Sequence, residues 1–288
     1  MIKMVKFAYY PGNVARAASI EVEDCIQPLC SSLGIDLIEI PKATSDGGNV
    51  ISQASTILQH SLVARNMALA ESMGLDIITT CASSHGINCE TIQAMEQDVK
   101  LRSKINSTLN QVSGLEYSCE SRSKHLLHVL VEEIGLDKIR SLVKNPLDMN
   151  VAGYYGPNMQ KEGACSEDNV FSPTYLEQLI SALGGTPVNY DLKCQSVGAP
   201  SLLTNQTSSL KMTAAVLSEA KENGAQMMVS ACTLSHSNLD TYQVKARRIT
   251  GKDTSMPVIH LAEMVAFALG HHKDRFALLR TRALIIGG

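Results

Sequence analysis

A doubly wound α/β fold, built twice along the chain, is what this sequence predicts. Three observations carry that reading. Two halves repeat at an offset of about 150 residues, strand-like apolar runs alternate with helical stretches in each half, and the runs stop at Gly, Pro or Cys.

Taken in order, the first half opens with Phe7-Ala8-Tyr9-Tyr10-Pro11-Gly12 and the second with Val151-Ala152-Gly153-Tyr154-Tyr155-Gly156-Pro157. Each reads as a short strand stopped by a Gly/Pro turn. Residues 32–40 and 182–190 read as a helix end, capped by Gly34 or Gly184, running into a strand. Small-residue turns at 44–48 and 195–199 precede helices. Over 54–73 the apolar residues Ile57, Leu58, Leu62, Val63, Met67 and Ala70 keep close to a helical period, and 208–222 do so less clearly. Residues 74–81 and 224–232 are buried-strand patterns, each ending at a cysteine. His125 and His260 each head a further helix, ending at Gly135 and Gly270. The alternation implies parallel βαβ units. It divides the chain into domains at 1–145 and 146–288, with a linker at 136–150 containing Pro146 and a polar loop at 158–172. Ligands of such sheets sit beyond the carboxyl ends of strands, which places Asn13, Cys81, Pro157 and Cys232 at the candidate sites.

Composition excludes several functions. Of 288 residues, 44% are apolar and 18% charged, enough for a proper core. No apolar run reaches the ~20 residues that span a bilayer, and the N-terminal stretch has no apolar signal core. A net charge of −3 gives nucleic acid no general attraction, and 4% aromatics without tryptophan leave no base-stacking platform. The eight cysteines contain no CxxC pair and form no disulfide scaffold, so they read as reduced thiols of a cytoplasmic protein.

The strongest local signal is paired. Cys81-Ala82-Ser83-Ser84-His85 and Cys232-Thr233-Leu234-Ser235-His236 share one pattern, each just after a buried strand. A strand-end cysteine at a helix N-terminus is expected to face a crevice with a lowered thiol pKa. A histidine four residues on is expected to lie one helical turn away and share the site. Cys81, His85, Cys232 and His236, with Cys194, thus form a candidate metal set for zinc or mononuclear iron. Alternatively, Cys81 and Cys232 act as nucleophilic thiols.

Around this pair, YYPG at 9–12, YYG at 154–156, ACTLSHSNLD at 231–240 and PVIHLAEMVAFALG at 257–270 show that the chain resembles the B subunit of heterodisulfide reductase and its relatives, which carry duplicated cysteine-rich CCG domains. The resemblance runs over nearly the whole length. It implies an oxidoreductase in which each repeat supplies an early cysteine, a CCG pair and a CxxC to hold a 4Fe–4S cluster, and in which a disulfide between two thiol coenzymes is cleaved. It also implies partners: heterodisulfide reductase-like A and C subunits, or a second B-type subunit. In this sequence the ligand positions fall on Asn13, Ser45, Asp46, Cys81 and Ser84, and on Pro157, Ser196, Val197, Cys232 and Ser235. The register holds, with 31 residues between Asn13 and Ser45 and 34 between Asp46 and Cys81. Two of ten positions keep a cysteine, and Cys194, two residues before Ser196, is a substitute. The expectation is therefore a cluster-depleted B-type subunit of an electron-transfer or sulfur-metabolism complex, structural or partner-binding. The alternatives are thiol, persulfide or metal redox chemistry at Cys81 and Cys232, and an atypical cluster on Asp46, His85 and His236. More ordinary roles are expected elsewhere. Asp46-Gly47-Gly48 reads as a turn, and His125 and His260 as structural residues. Cys25, Cys30, Cys89, Cys119 and Cys165 match no ligand position, and Lys245, Arg247 and Arg248 read as a solvated face.

Overall fold

The computed structural model describes residues 4–16, 19–48, 50–161 and 166–271. Cys165 and the centre of the 158–172 loop lie outside the described residues. The chain forms two four-stranded parallel sheets in the orders β2-β1-β3-β4 and β6-β5-β7-β8. The first sheet consists of β1 (Val5–Tyr10), β2 (Ile35–Glu39), β3 (Ile77–Thr79) and β4 (Ser123–His125). Its helices are α1 (Ile20–Leu33), α2 (Thr56–Ser72), α3 (Ala82–Gln97), α4 (Val99–Ser113), α5 (Leu126–His128, continued by a π-helical stretch Val129–Ile134) and α6 (Leu136–Ser141). The second sheet consists of β5 (Asn150–Tyr154), β6 (Thr186–Val188), β7 (Met227–Ser230) and β8 (Val258–His260). It carries α7 (Tyr175–Ala182), α8 (Gln206–Glu222), α9 (Thr233–Thr241), α10 (Gln243–Thr250) and α11 (Leu261–Ala268).

The repeat is a structural one. Tyr10 pairs with Thr79 in the first sheet and Tyr154 with Ser230 in the second, so equivalent residues hold equivalent registers. In each half the first strand lies inside the sheet with the second and third on either side, which makes the ends of β1/β3 and β5/β7 the switch points where such folds hold ligands. The left-handed Gly34 (φ 79°) closes α1 as expected and turns the chain into β2.

Two expectations are corrected here. The alternation suggested three strands per half. A fourth, three-residue strand precedes each histidine-headed helix, because a run that short shows no period of its own. The 136–150 stretch is not an open linker. Its first part is α6, whose Ile139 is buried and which packs against α7.

The halves share one core. Val22, Ile26 and Leu29 of α1 join the apolar cluster that holds Leu261, Met264 and Val265 of α11, and α1 packs against α11 across the repeat boundary. Each of these side chains contributes about 1.5–3 kcal/mol through burial. This packing brings the carboxyl ends of β3 and β7 face to face, so His260 Nε2 reaches the Thr80 carbonyl of the other half at 2.9 Å.

Candidate functional site

Cys81 and Cys232 are the residues just before α3 and α9, in extended backbone (φ −114° and −134°). Their surroundings are near copies. The Cys81 N–H donates to Thr79 Oγ1 and the Cys232 N–H to Ser230 Oγ, both at 3.2 Å, while each cysteine carbonyl accepts the N–H of the histidine four residues on. Neither thiol faces a crevice as expected, since exposures are 2% and 1%. Across the boundary the two thiols hydrogen bond to each other. That bond and burial hold Cys81 well above the ordinary thiol pKa. Cys232 is pulled the other way by the Cys81 hydrogen bond, by Ser83 Oγ at 3.3 Å and by the Ser235 backbone N–H, against burial. The two buried thiols therefore titrate as one pair, in which a charge on one opposes the loss of a proton from the other. Ser83, steadied by Asn158 Nδ2 at 3.1 Å, was not legible in the sequence as part of the site, because it belongs to the other repeat.

In the first repeat Asn13, Ser45 and Asp46 are tied into one network, and Cys81 and Ser84 both lie against the neighbouring Gly12. Asn13 Nδ2 donates to Asp46 Oδ1 at 2.5 Å, Ser45 Oγ donates to Asn13 Oδ1 at 2.7 Å, and the Gly48 N–H closes on Asp46 Oδ1 at 2.8 Å. The Asp46 N–H donates to Tyr10 Oη at 3.0 Å. Asp46 is buried, and its Oδ2 has no hydrogen-bond partner among the described residues. Gly12, at φ +86°, lies so close to Cys81 and Ser84 that a Cβ there would meet Cys81 Cβ at 2.8 Å. Asn13 and Ser45 line the rim of a cleft of about 410 Å³ with Tyr9, Tyr10 and Lys42. The expected Asp46-Gly47-Gly48 turn is present, and Asp46 also locks the loop to β1.

The second-repeat positions are differently used. Ser196 Oγ accepts the Gly198 N–H at 3.1 Å, while buried Val197 offers only its carbonyl, which Thr213 Oγ1 and Asn238 Nδ2 take at 2.9 Å each. Ser235 is buried beside Cys232, and Pro157 is exposed. Cys194 is half-buried at the end of a short turn, and burial pushes its thiol up to about 11.

The Cys/His metal set does not assemble. Among the described residues, no three of Cys81, His85, Cys194, Cys232 and His236 bring ligating atoms within 4.8 Å of one another. The two histidines are held by partners on other elements. His85 instead packs with His125 and His128, with ring centroids 5.4–5.9 Å apart, and its Nδ1 lies 3.3 Å from Ser123 Oγ. Cys89, which matched no ligand position, lies 3.7 Å from His85 Nε2. His236 pairs with Glu21 Oε1 at 3.1 Å. His125 and His260 are structural caps as expected, accepting the N–H of Leu127 and of Ala262 at 3.1 Å. Arg247 and Arg248 lie on the exposed face of α10.

An iron–sulfur cluster needs about four soft ligands, normally thiolates. Cys81 is engaged by Cys232, and Asn13, Ser45 and Asp46 are engaged by one another. The second repeat has one thiol at its site, beside a valine and a proline. The residues present do not fit a 4Fe–4S cluster at either place.

No protein-family profile matches the chain. It is similar to the 8-methylmenaquinol:fumarate reductase membrane anchor subunit of Wolinella succinogenes, 31% identical over 92% of each chain. It is also similar to the B subunit of the ferredoxin/F420H2-dependent CoB-CoM heterodisulfide reductase of Methanosarcina acetivorans, 26% identical over 96% of this chain and 93% of that one. A protein of Archaeoglobus profundus named as like the heterodisulfide reductase B subunit is 26% identical over 95% and 94%. Among solved structures, a hypothetical protein from Helicobacter pylori superposes with a TM-score of 0.72 at 16% identity, covering 94% of this chain and 50% of its own, which shows the fold alone. A repeated α/β fold and relatives named as reductase subunits define the class of protein. Within that class, this chain belongs to the heterodisulfide reductase B-subunit family. Among the described residues no helix is long and apolar enough to cross a membrane.

Proposed function

We propose that this chain is a B-type subunit that keeps the family scaffold without the family's clusters. It serves as a structural, partner-binding member of an electron-transfer or sulfur-metabolism complex. The supporting observation is the closed hydrogen-bond network Asn13–Ser45–Asp46, standing where thiolates would have to converge. Its partners are heterodisulfide reductase-like A and C subunits, or a second B-type subunit that does carry clusters. The test is anaerobic co-purification with co-expressed A and C subunits, followed by iron and sulfide analysis of the isolated chain. A colourless chain recovered in stoichiometric complex is expected. About four irons and four sulfides per chain would overturn the reading.

The thiol pair favours a second reading, in which Cys81 and Cys232 are the redox-active groups. A buried pair in which one thiol lies against the other, with Ser83 Oγ 3.3 Å from the Cys232 sulfur, is suited to holding a thiol substrate or a persulfide. Cys81→Ser with Cys232→Ser would then abolish turnover of the assembled complex while the fold survives. Wild-type turnover of that variant excludes this reading.

A further inference from the structure

Cys81 and Cys232 are buried, and the segment that crosses beside them comes from the second repeat but rests on the first. After Gly156, at φ +70°, a short turn at Pro157–Gln160 leads to Lys161 and packs against α3. Asn158, Met159 and Lys161 hold it there. Asn158 Nδ2 donates to Ser83 Oγ at 3.1 Å. Met159, 6% exposed, joins the apolar cluster that contains Cys81, Ala82 and Cys232. Lys161 Nζ pairs with Glu90 Oε1, and their side chains are 27% and 44% exposed. Gly86 of α3 makes room for the crossing, since a Cβ there would stand 3.0 Å from the Asn158 carbonyl oxygen. The Asn158 contact reaches the thiols. Ser83 Oγ accepts from Asn158 Nδ2, which leaves its one proton for Cys232 Sγ, 3.3 Å away. The corresponding segment after β1 is held differently. Asn13 is tied to Ser45 and Asp46 of its own repeat, whereas Pro157 at the matching position is exposed.

We propose that Pro157–Lys161 is a hinged cover over the Cys81–Cys232 pair, turning about Gly156 and latched by the Lys161–Glu90 ion pair. Closed, it keeps reagents from both thiols and sets the Ser83 hydroxyl against Cys232. The hinge is defined on one side, because the N–H groups of Tyr155 and Gly156 donate to the Lys193 carbonyl at 2.9 and 3.2 Å. Gly156 then absorbs the change in backbone angle without the strain that a Cβ would add. Opening breaks a partly exposed ion pair, a hydrogen bond and the Met159 contact, and it leaves both parallel sheets intact. An ion pair of that exposure contributes little, and a single hydrogen bond only modestly. Opening therefore costs far less than unfolding. Use of the cover as a gate for a thiol or persulfide substrate rests on the second reading above. The cover itself rests on the contacts of Asn158, Met159 and Lys161.

The test is alkylation of the reduced full-length chain with iodoacetamide, the label on each cysteine being followed by peptide mass spectrometry. Lys161→Glu sets two carboxylates against each other and should speed labelling of Cys81 and Cys232 by about tenfold. Adding Glu90→Lys restores a pair of opposite sense and should return the rate to that of the wild type. Asn158→Ala loosens the cover without touching the ion pair, and a gain of roughly fivefold is expected. Cys25 and Cys30, buried in α1, report general loosening and should label no faster in any of these variants. Unchanged labelling of Cys81 and Cys232 in Lys161→Glu overturns the cover. So does acceleration shared equally with Cys25 and Cys30, or failure of the charge swap to restore the rate. Labelling is read without turnover, so a covered but inert pair is told apart from an active but uncovered one.

Discussion

The two repeats hold the same backbone around their strand ends and fill it with different chemistry. In the first, His85, His125 and His128 pack ring to ring. Burial, then the other two rings, holds His125 well below its ordinary pKa, and burial with His85 takes His128 down to about 3. In the second, His236 stands among Glu21, Glu263 and Asp240. Burial opposes its charge, but the Glu21 hydrogen bond and the neighbouring carboxylates outweigh it and raise its pKa. The interface contacts differ as well. His260 Nε2 holds the Thr80 carbonyl at 2.9 Å, while its counterpart His125 faces the Ala231 backbone of the other half in looser geometry. A duplicated backbone thus fixes where side chains meet, and single substitutions such as His128 against Glu263 decide whether the meeting place is neutral or charged.

The largest expected effect tests the glycines after β1 and β5. Gly12→Ala forces a Cβ onto Cys81 Cβ at 2.8 Å in a φ of +86°, whereas Gly156→Ala at φ +70° meets the hydroxyl end of the Tyr154 side chain at 3.1–3.3 Å. Urea denaturation should show a loss of roughly 3 kcal/mol for Gly12→Ala and about 1–2 kcal/mol for Gly156→Ala. Equal losses would mean that the two strand ends are not packed differently.

A middle-sized effect concerns acid. Because the folded state holds His128 at about 3 against an ordinary 6.5, the unfolded chain takes up that proton first. Stability is therefore complete above pH 6.5 and falls as pH drops toward 3. His128→Gln should flatten that limb by up to about 1.4 kcal/mol per pH unit, read from denaturation midpoints across the range. An unchanged acid limb would show that His128 is already solvated. The smallest effect is expected at Cys194. This half-buried thiol holds no place in either network, and Cys194→Ala should shift stability by only about 0.5 kcal/mol.

The candidate site was partly legible in the chain itself. The C-x-x-S-H pair and the spacing from Asn13 to Ser45 to Cys81 marked the strand-end positions, since strand ends and glycine turns leave local signals. The partners did not show. Ser83 of α3 meets Cys232, 149 residues away, only across the repeat boundary, and Glu21 lies 215 residues from His236. Nothing in local pattern connects them.

The sequence by itself determined the two βαβ repeats, their turns and the two cysteines that begin matched helices, because period, glycine placement and repetition are written along the chain. Only the tertiary structure decided that these thiols turn inward to each other, that their histidines turn away from them, and that Glu21, His236 and Glu263 converge. Those outcomes depend on how one repeat packs against the other, and that packing is set by apolar surfaces such as those of α1 and α11, which act between residues far apart in the chain.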